Sequence, residues 1–141
     1  MQLAGIDHVV IRVKDTELCL KFYQDLGCRL VKRNEAAGIY HLHCGGSTLI
    51  DLVPMDGTLG VRGGAPPDVS QGRHNMDHLC LKVDPFDKDA IYNHLQSIGV
   101  EAEDCCQRFG ADGDGPSIYL KDPEGNGLEL KGRLWPIDRQ N

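Results

Sequence analysis

The stretch Ile6–Val13, IDHVVIRV, returns seventy residues later as Met76–Val83, MDHLCLKV. In each copy an aspartate and a histidine precede alternating apolar and β-branched residues, which is typical of a strand. One helix pattern and three further strand patterns follow each copy in the same order. The sequence therefore predicts a βαβββ module that is written twice, and such a repeat takes priority in assigning a fold.

The repeat also sets the predicted domain organisation. The 141 residues form a single domain with module one at about 6–54, a connector at about 55–75, module two at about 76–131 and a tail at 132–141. The connector is rich in Gly and Pro and is longer than most structureless loops, which indicates a functional or mobile segment. Trp135 in the tail is predicted to contact a helix or a partner subunit.

The first module has clear helix boundaries. Asp15 fits an N-cap, Gly27 fits the position that ends the helix, and the apolar period between them predicts a buried face. That face comprises Leu18, Phe22 and Leu26, flanked by Cys19 and Tyr23. Strands are predicted at 28–33, 38–44 and 47–54, and Gly45-Gly46 is the expected turn between the last two.

The second module repeats this order with a helix at about 86–98. Its inward residues are predicted to be Ala90, Ile91, Leu95 and Ile98. Strands are expected at 100–105, 117–122 and 126–132. The segment DPEGNG between the last two has strong turn chemistry, and the glycine-rich GADGDG, residues 110–115, is also interpreted as a turn.

Composition excludes several classes of function. The formal net charge is −6 without a basic run, so a nucleic-acid partner is not expected. The apolar runs are too short to span a bilayer, and no export signal is visible at the N-terminus, so we expect a cytoplasmic protein. In that compartment the six cysteines are predicted to be reduced thiols.

The two histidines at the strand starts lie in a pattern that indicates a metal site. Because strand residues alternate faces, His8 shares the face of Asp51 and His78 shares the face of Glu129, away from each helix. Buried carboxylates need a compensating charge, which a divalent cation supplies. Mixed nitrogen and oxygen ligands suit Ni, Zn, Co, Mn or Fe. Asp51 has two alternative roles, orienting His8 or pairing with Arg12.

Other polar side chains on the same faces are predicted to bind the substrate. They alternate with apolar residues in the strands, and the basic ones could hold a carboxylate or phosphate. This set comprises Arg12, His41, His43, Lys82, Ser117 and Tyr119.

With these motifs, from IDHVVIRVKD to DPEGNGLEL, the sequence resembles the vicinal oxygen chelate superfamily, and glyoxalase I-like members most. The resemblance implies an α+β fold in which two βαβββ modules form a cup-shaped mixed sheet with helices on the outer face. It also implies metal ligands at His8, Asp51, His78 and Glu129. An arginine at the position of Arg12 implies glutathione as a possible cosubstrate.

The resemblance implies a metal-dependent lyase or isomerase that acts on a small substrate with vicinal oxygens through a metal-stabilised enediolate. Glu129 is the predicted catalytic base. The alternatives are an Fe(II) extradiol dioxygenase, an acyl-CoA epimerase and a non-catalytic antibiotic-binding protein of the same fold. We expect a homodimer, with the metal cup formed either within one chain or across the dimer.

Overall fold

A computed structural model describes residues 1–2 and 5–133, which form two compact units. Unit 1 comprises Met1–Asn75 together with Pro123–Gly125, and unit 2 comprises Met76–Asp122 and the segment from Asn126 onward. Trp135 lies outside the described residues.

Unit 1 contains one helix on a four-stranded sheet. Its elements are β1 (His8–Val13), α1 (Thr16–Leu26), β2 (Arg29–Asn34), β3 (Ile39–His43) and β4 (Leu49–Pro54). The strand order is β1-β4-β3-β2, with β1 parallel to β4 and the other pairs antiparallel. β4 is therefore an inner strand. The connector that follows contains two 3₁₀ turns, Gly60–Gly63 and Val69–Gln71.

Unit 2 has the same topology. Its elements are β5 (His78–Lys82), α2 (Lys88–Ser97), β6 (Cys106–Gly110), β7 (Gly113–Lys121) and β8 (Gly127–Lys131). The strand order is β5-β8-β7-β6, again with the first pair parallel. The prediction of two βαβββ modules in an α+β fold is thus confirmed.

The core of each unit lies between its helix and one face of its sheet. Ile11, Val13 and Leu52 are buried, as the alternation predicts. In α1 the buried residues are Cys19, Leu20, Phe22 and Tyr23. The predicted inward position of Leu18 is wrong, because this side chain is 48% exposed. The buried face of α1 is therefore centred closer to Leu20 than the predicted spacing of four residues from Leu18 implies.

The second helix differs more from its prediction. It spans Lys88–Ser97, with the Asp87 side chain accepting a hydrogen bond from the Ala90 N–H. Leu95 is its buried residue, whereas Ala90 is exposed because it lies in the first turn, beside the cap.

The predicted strand at 100–105 is wrong. The strand is Cys106–Gly110, and it pairs with the start of β7 across a tight turn at Ala111 and Asp112. Most of the GADGDG segment is therefore strand, and Gly110 and Gly115 allow close packing, whereas Gly113 has a positive φ of 87°. A Cβ on Gly110 would lie 2.5 Å from the Lys131 Cε, which no side chain could tolerate unless Lys131 moved.

The turn between β7 and β8 forms as predicted. Asp122 and Asn126 are both buried at its base. The Asp122 carboxylate accepts hydrogen bonds from the Asn126 backbone N–H at 2.9 Å and from its side-chain amide at 2.8 Å. Glu124, at the tip, accepts from the backbone N–H groups of Lys14 and Asp15, which explains why the tip belongs to unit 1.

No helix among residues 1–2 and 5–133 combines the length and the apolar character that crossing a membrane requires.

We expect Asp122→Ala to lower the free energy of unfolding by about 2–3 kcal/mol, because two donors of the buried Asn126 would lose their acceptor. Urea denaturation measures this change. Asp114→Ala, at an exposed position of β7, is the control and should change stability by less than about 0.5 kcal/mol. Equal effects of the two substitutions would contradict the assigned role of Asp122.

Candidate functional site

The face of each sheet opposite its helix, here called the open face, carries the predicted site residues. In unit 1, His8 is the exposed first residue of β1. Its Nδ1 lies 2.7 Å from the Asp7 Oδ1. This hydrogen bond raises the pKa of His8 above its usual value, and the charge of Asp51 contributes to the same shift.

Asp51 is buried on the inner strand of unit 1, with 3% of its surface exposed. It lies opposite His41 in the β3–β4 ladder, and the His41 Nδ1 is 2.7 Å from the Asp51 Oδ1. Among the described residues, Asp51 forms no ion pair with Arg12, and His8 bonds to Asp7. The carboxylate is therefore held by a histidine that sequence reasoning had assigned to the substrate.

His43 lies on the same face as His41 but in a different environment. Its Nε2 is 2.8 Å from the carbonyl oxygen of Gly46, in the turn between β3 and β4. The two histidines of β3 therefore differ in their contacts, although the sequence pattern treats them alike.

Arg12 holds the connector. Its guanidinium donates to the carbonyl oxygens of Gly60 and Gly64 from Nη1 and of Ala65 from Nη2, at 3.0–3.3 Å. A Cβ on Gly63 would lie 2.0 Å from the Arg12 Nη1, so a larger residue there would displace the guanidinium from its three carbonyl partners. Three N–H bonds of Arg12 are thus used inside unit 1, which leaves two for the substrate contact that the sequence predicts.

In unit 2, Glu129 is buried on the inner strand β8, with 5% of its surface exposed. The hydroxyl of Ser117 donates to its Oε1 at 2.5 Å, and the Nε2 of His78 lies 3.2 Å from its Oε2. The ring of Tyr119 packs edge-on against the His78 ring, with 5.6 Å between centroids. Four predicted residues of this unit are therefore brought together. Lys82 lies apart from them in an ion pair with Asp112 at 2.8 Å.

Cys80 lies on this face with His78, as strand alternation predicts, but it is not among the predicted site residues. It lies directly opposite Glu129 in the β5–β8 ladder. Although part of the residue is exposed, desolvation of the thiol and the neighbouring Glu129 carboxylate raise its pKa to about 11. Its position two residues after His78 on the same strand was the available signal. All six cysteines are free thiols, as predicted.

The described residues contain no group of three or more His, Cys, Asp or Glu side chains that could hold a metal ion. Unit 1 places His8 and Asp51 on one open face, and unit 2 places His78 and Glu129 on the other.

Comparison with known proteins agrees with this topology. Residues 5–130 match the model of the Glyoxalase/Bleomycin resistance protein/Dioxygenase superfamily. The chain belongs to this superfamily. The match covers both βαβββ modules and the connector, and it confirms the family resemblance found in the sequence.

The chain is 30% identical to Virulence protein STM3117 of Salmonella typhimurium over 133 residues, covering 92% of this chain and 85% of that protein. A crystal structure of that virulence protein has a TM-score of 0.75 at 25% identity and covers 95% of this chain and 100% of the other. An integron cassette protein from V. cholerae gives 0.73 at 27% identity, covering 94% and 97%.

A lactoylglutathione lyase from Agrobacterium tumefaciens shares the fold, with a TM-score of 0.64 at 20% identity over 94% of this chain and 96% of that one. This likeness concerns the fold, and the names of the more similar relatives state no reaction.

We expect Cys80 to react slowly with iodoacetamide at pH 8, because a thiol pKa of about 11 leaves about one molecule in a thousand as thiolate. Glu129→Gln should speed this reaction several-fold, since it removes the negative charge that raises the pKa. Peptide mass spectrometry measures both rates. Cys28 in unit 1 is the internal control, because burial raises its pKa to about 12. Its own rate should be slow and should not differ between the wild type and Glu129→Gln.

Proposed function

We propose that the protein is a metal-dependent lyase or isomerase of the glyoxalase I type, which acts on a small substrate with neighbouring oxygen atoms. His8 and His78 would hold the divalent ion together with Glu129. Asp51 would complete the set, either directly or through His41, which contacts its Oδ1.

The observation that carries this proposal is the environment of the His78 ring. Its Nδ1 faces the Asp77 carboxylate and its Nε2 faces the Glu129 carboxylate. An ion bound at Nε2 would therefore lie beside the Glu129 carboxylate as well. Two atoms that each lie 2.0–2.2 Å from one ion are separated by roughly 3.0–3.4 Å, and the Nε2–Oε2 distance is 3.2 Å. The donor set thus fits a divalent transition ion.

When bound, such an ion acts as a Lewis acid that stabilises negative charge on the substrate oxygens. The chain's own residues would then move the proton. Glu129 removes it from the carbon beside a carbonyl and returns it to the neighbouring carbon. The Ser117 hydroxyl restrains Oε1 and leaves Oε2 on the side of His78. Because Oε2 is also the oxygen beside the proposed ion, Glu129 would have to bind the ion weakly or leave it during turnover.

Membership of a superfamily that contains a lactoylglutathione lyase supports this reaction class, and glutathione is therefore the first cosubstrate to test. Arg12 retains two N–H donors for a carboxylate of the substrate. We further propose a homodimer in the cytoplasm, as expected from the sequence.

We expect the untagged wild-type protein to retain about one divalent transition ion per chain after loading with Ni, Co or Zn and dialysis. His8→Ala should lose most of it, because one imidazole ligand is gone. Elemental analysis by mass spectrometry measures the content. His94→Ala, on α2, is the matched control. A wild-type protein that stays metal-free after loading would contradict the proposal and favour a non-catalytic binding protein.

We expect Glu129→Gln to lower turnover of the methylglyoxal–glutathione hemithioacetal by about 10²–10⁴-fold, because the amide cannot accept the proton. The absorbance of the thioester product reports the rate. Glu101→Gln, at an exposed position outside both sheets, is the control for a lost carboxylate. Full activity of Glu129→Gln would exclude this residue as the base, and no turnover by the metal-loaded wild type would exclude this substrate.

A further inference from the structure

Three histidines on the open faces share one arrangement of their rings. In each of them Nδ1 faces a carboxylate oxygen, so that the other ring nitrogen, Nε2, is directed away from this partner. The pairs are His8 with Asp7 at 2.7 Å, His41 with Asp51 at 2.7 Å, and His78 with Asp77. Histidines that bind metals usually donate their second N–H to a carboxylate or carbonyl, which fixes the tautomer and orients the ring.

His41 was not among the predicted ligands, yet it shares this arrangement with the two histidines that were. His43, two residues later on the same strand, does not. The Nε2 of His43 is occupied by the Gly46 carbonyl, whereas the side chain of His41 makes its one hydrogen bond within the described residues through Nδ1, to Asp51. The Nε2 of His41 therefore remains available to a ligand, whereas the Nε2 of His43 is engaged in the turn between β3 and β4.

The position of Asp51 supports the same conclusion. Its side chain is one methylene shorter than that of Glu129, which occupies the equivalent place in unit 2. The Asp51 side chain is only 5% exposed, and its Oδ1 is occupied by His41, whose own side chain is 21% exposed. The imidazole therefore extends from the carboxylate toward the open face.

We infer that His41 is the direct metal ligand of unit 1 beside His8, through Nε2, and that Asp51 is the positioning residue that holds the His41 ring. β4 lies between β1 and β3, so the two histidines flank the strand that carries Asp51. The ligand set would then contain three imidazoles, from His8, His41 and His78, and the carboxylate of Glu129. This inference rests on the proposed metal-dependent function.

The first measurement is Co²⁺ affinity, by titration of the untagged, metal-free protein. His41→Asn keeps a side-chain N–H for the buried Asp51 but removes the imidazole, so the fold is retained while the ligand is lost. We expect it to weaken binding by more than the roughly 10–100-fold that losing an outer partner causes. Asp51→Asn keeps an oxygen acceptor for the His41 Nδ1 and should weaken binding within that range. His43→Asn is the matched control and should change Co²⁺ affinity less than about threefold.

The second measurement counts the ligands directly. X-ray absorption spectra of the Zn²⁺-loaded proteins distinguish imidazole from carboxylate ligands. We expect three imidazoles in the wild type and in Asp51→Asn, and two in His41→Asn. Circular dichroism of each metal-free variant checks that the secondary structure is unchanged.

The inference would be overturned if the wild type bound Zn²⁺ through two imidazoles and His41→Asn showed the same number. Asp51 would then be the direct ligand. The proposed metal-dependent function would survive that result. A wild type that binds neither Co²⁺ nor Zn²⁺ would overturn both.

Discussion

A carboxylate buried on the inner strand of each sheet is the constraint on which the open faces depend. Asp51 and Glu129 stand among apolar neighbours in β4 and β8, and both are almost fully removed from solvent. An ionised carboxylate in such a place costs several kcal/mol unless donors or cations surround it. The adjacent strands supply the donors, from His41 in unit 1 and from Ser117 and His78 in unit 2.

Both modules carry a buried carboxylate at the equivalent position, but different side chains contact it in each module. His41 occupies the place opposite Asp51 that Tyr119 occupies opposite Glu129. Tyr119 packs against the His78 ring and also interacts with Glu129, which accepts a further hydrogen bond from Ser117, two residues before Tyr119 on the same strand. The longer side chain of glutamate reaches a diagonal partner, while the shorter aspartate is held by the residue directly opposite. The two halves of the chain therefore share a topology and differ in chemistry.

The sequence predicts strand faces well because alternation is a local property. It placed His8 with Asp51 and His78 with Glu129 correctly on their faces, and it located the turn closed by Asp122. It failed where the determining contact is distant in sequence. The glycines at 110–115 predict a turn, and one forms at Ala111 and Asp112, but alternation does not show that Gly110 and Gly115 lie in the flanking strands and leave room for the side chain of Lys131, which another strand contributes. Likewise, alternation shows that His41 and His43 share a face. Only the structure shows that His41 bonds to the Asp51 carboxylate and that His43 bonds to the Gly46 carbonyl in a turn.

The pairing of His41 with Asp51 also has a consequence for metal choice. A set of two imidazoles and two carboxylates accepts Mn²⁺ readily, because carboxylate oxygens suit harder ions. Replacing one carboxylate by an imidazole favours Ni²⁺, Zn²⁺ or Fe²⁺. The charge of Asp51 still lies behind the His41 ring, so the negative charge near the ion is kept while the donor atom changes. One hydrogen bond in unit 1 would thus shift the preference of the whole site without altering the fold.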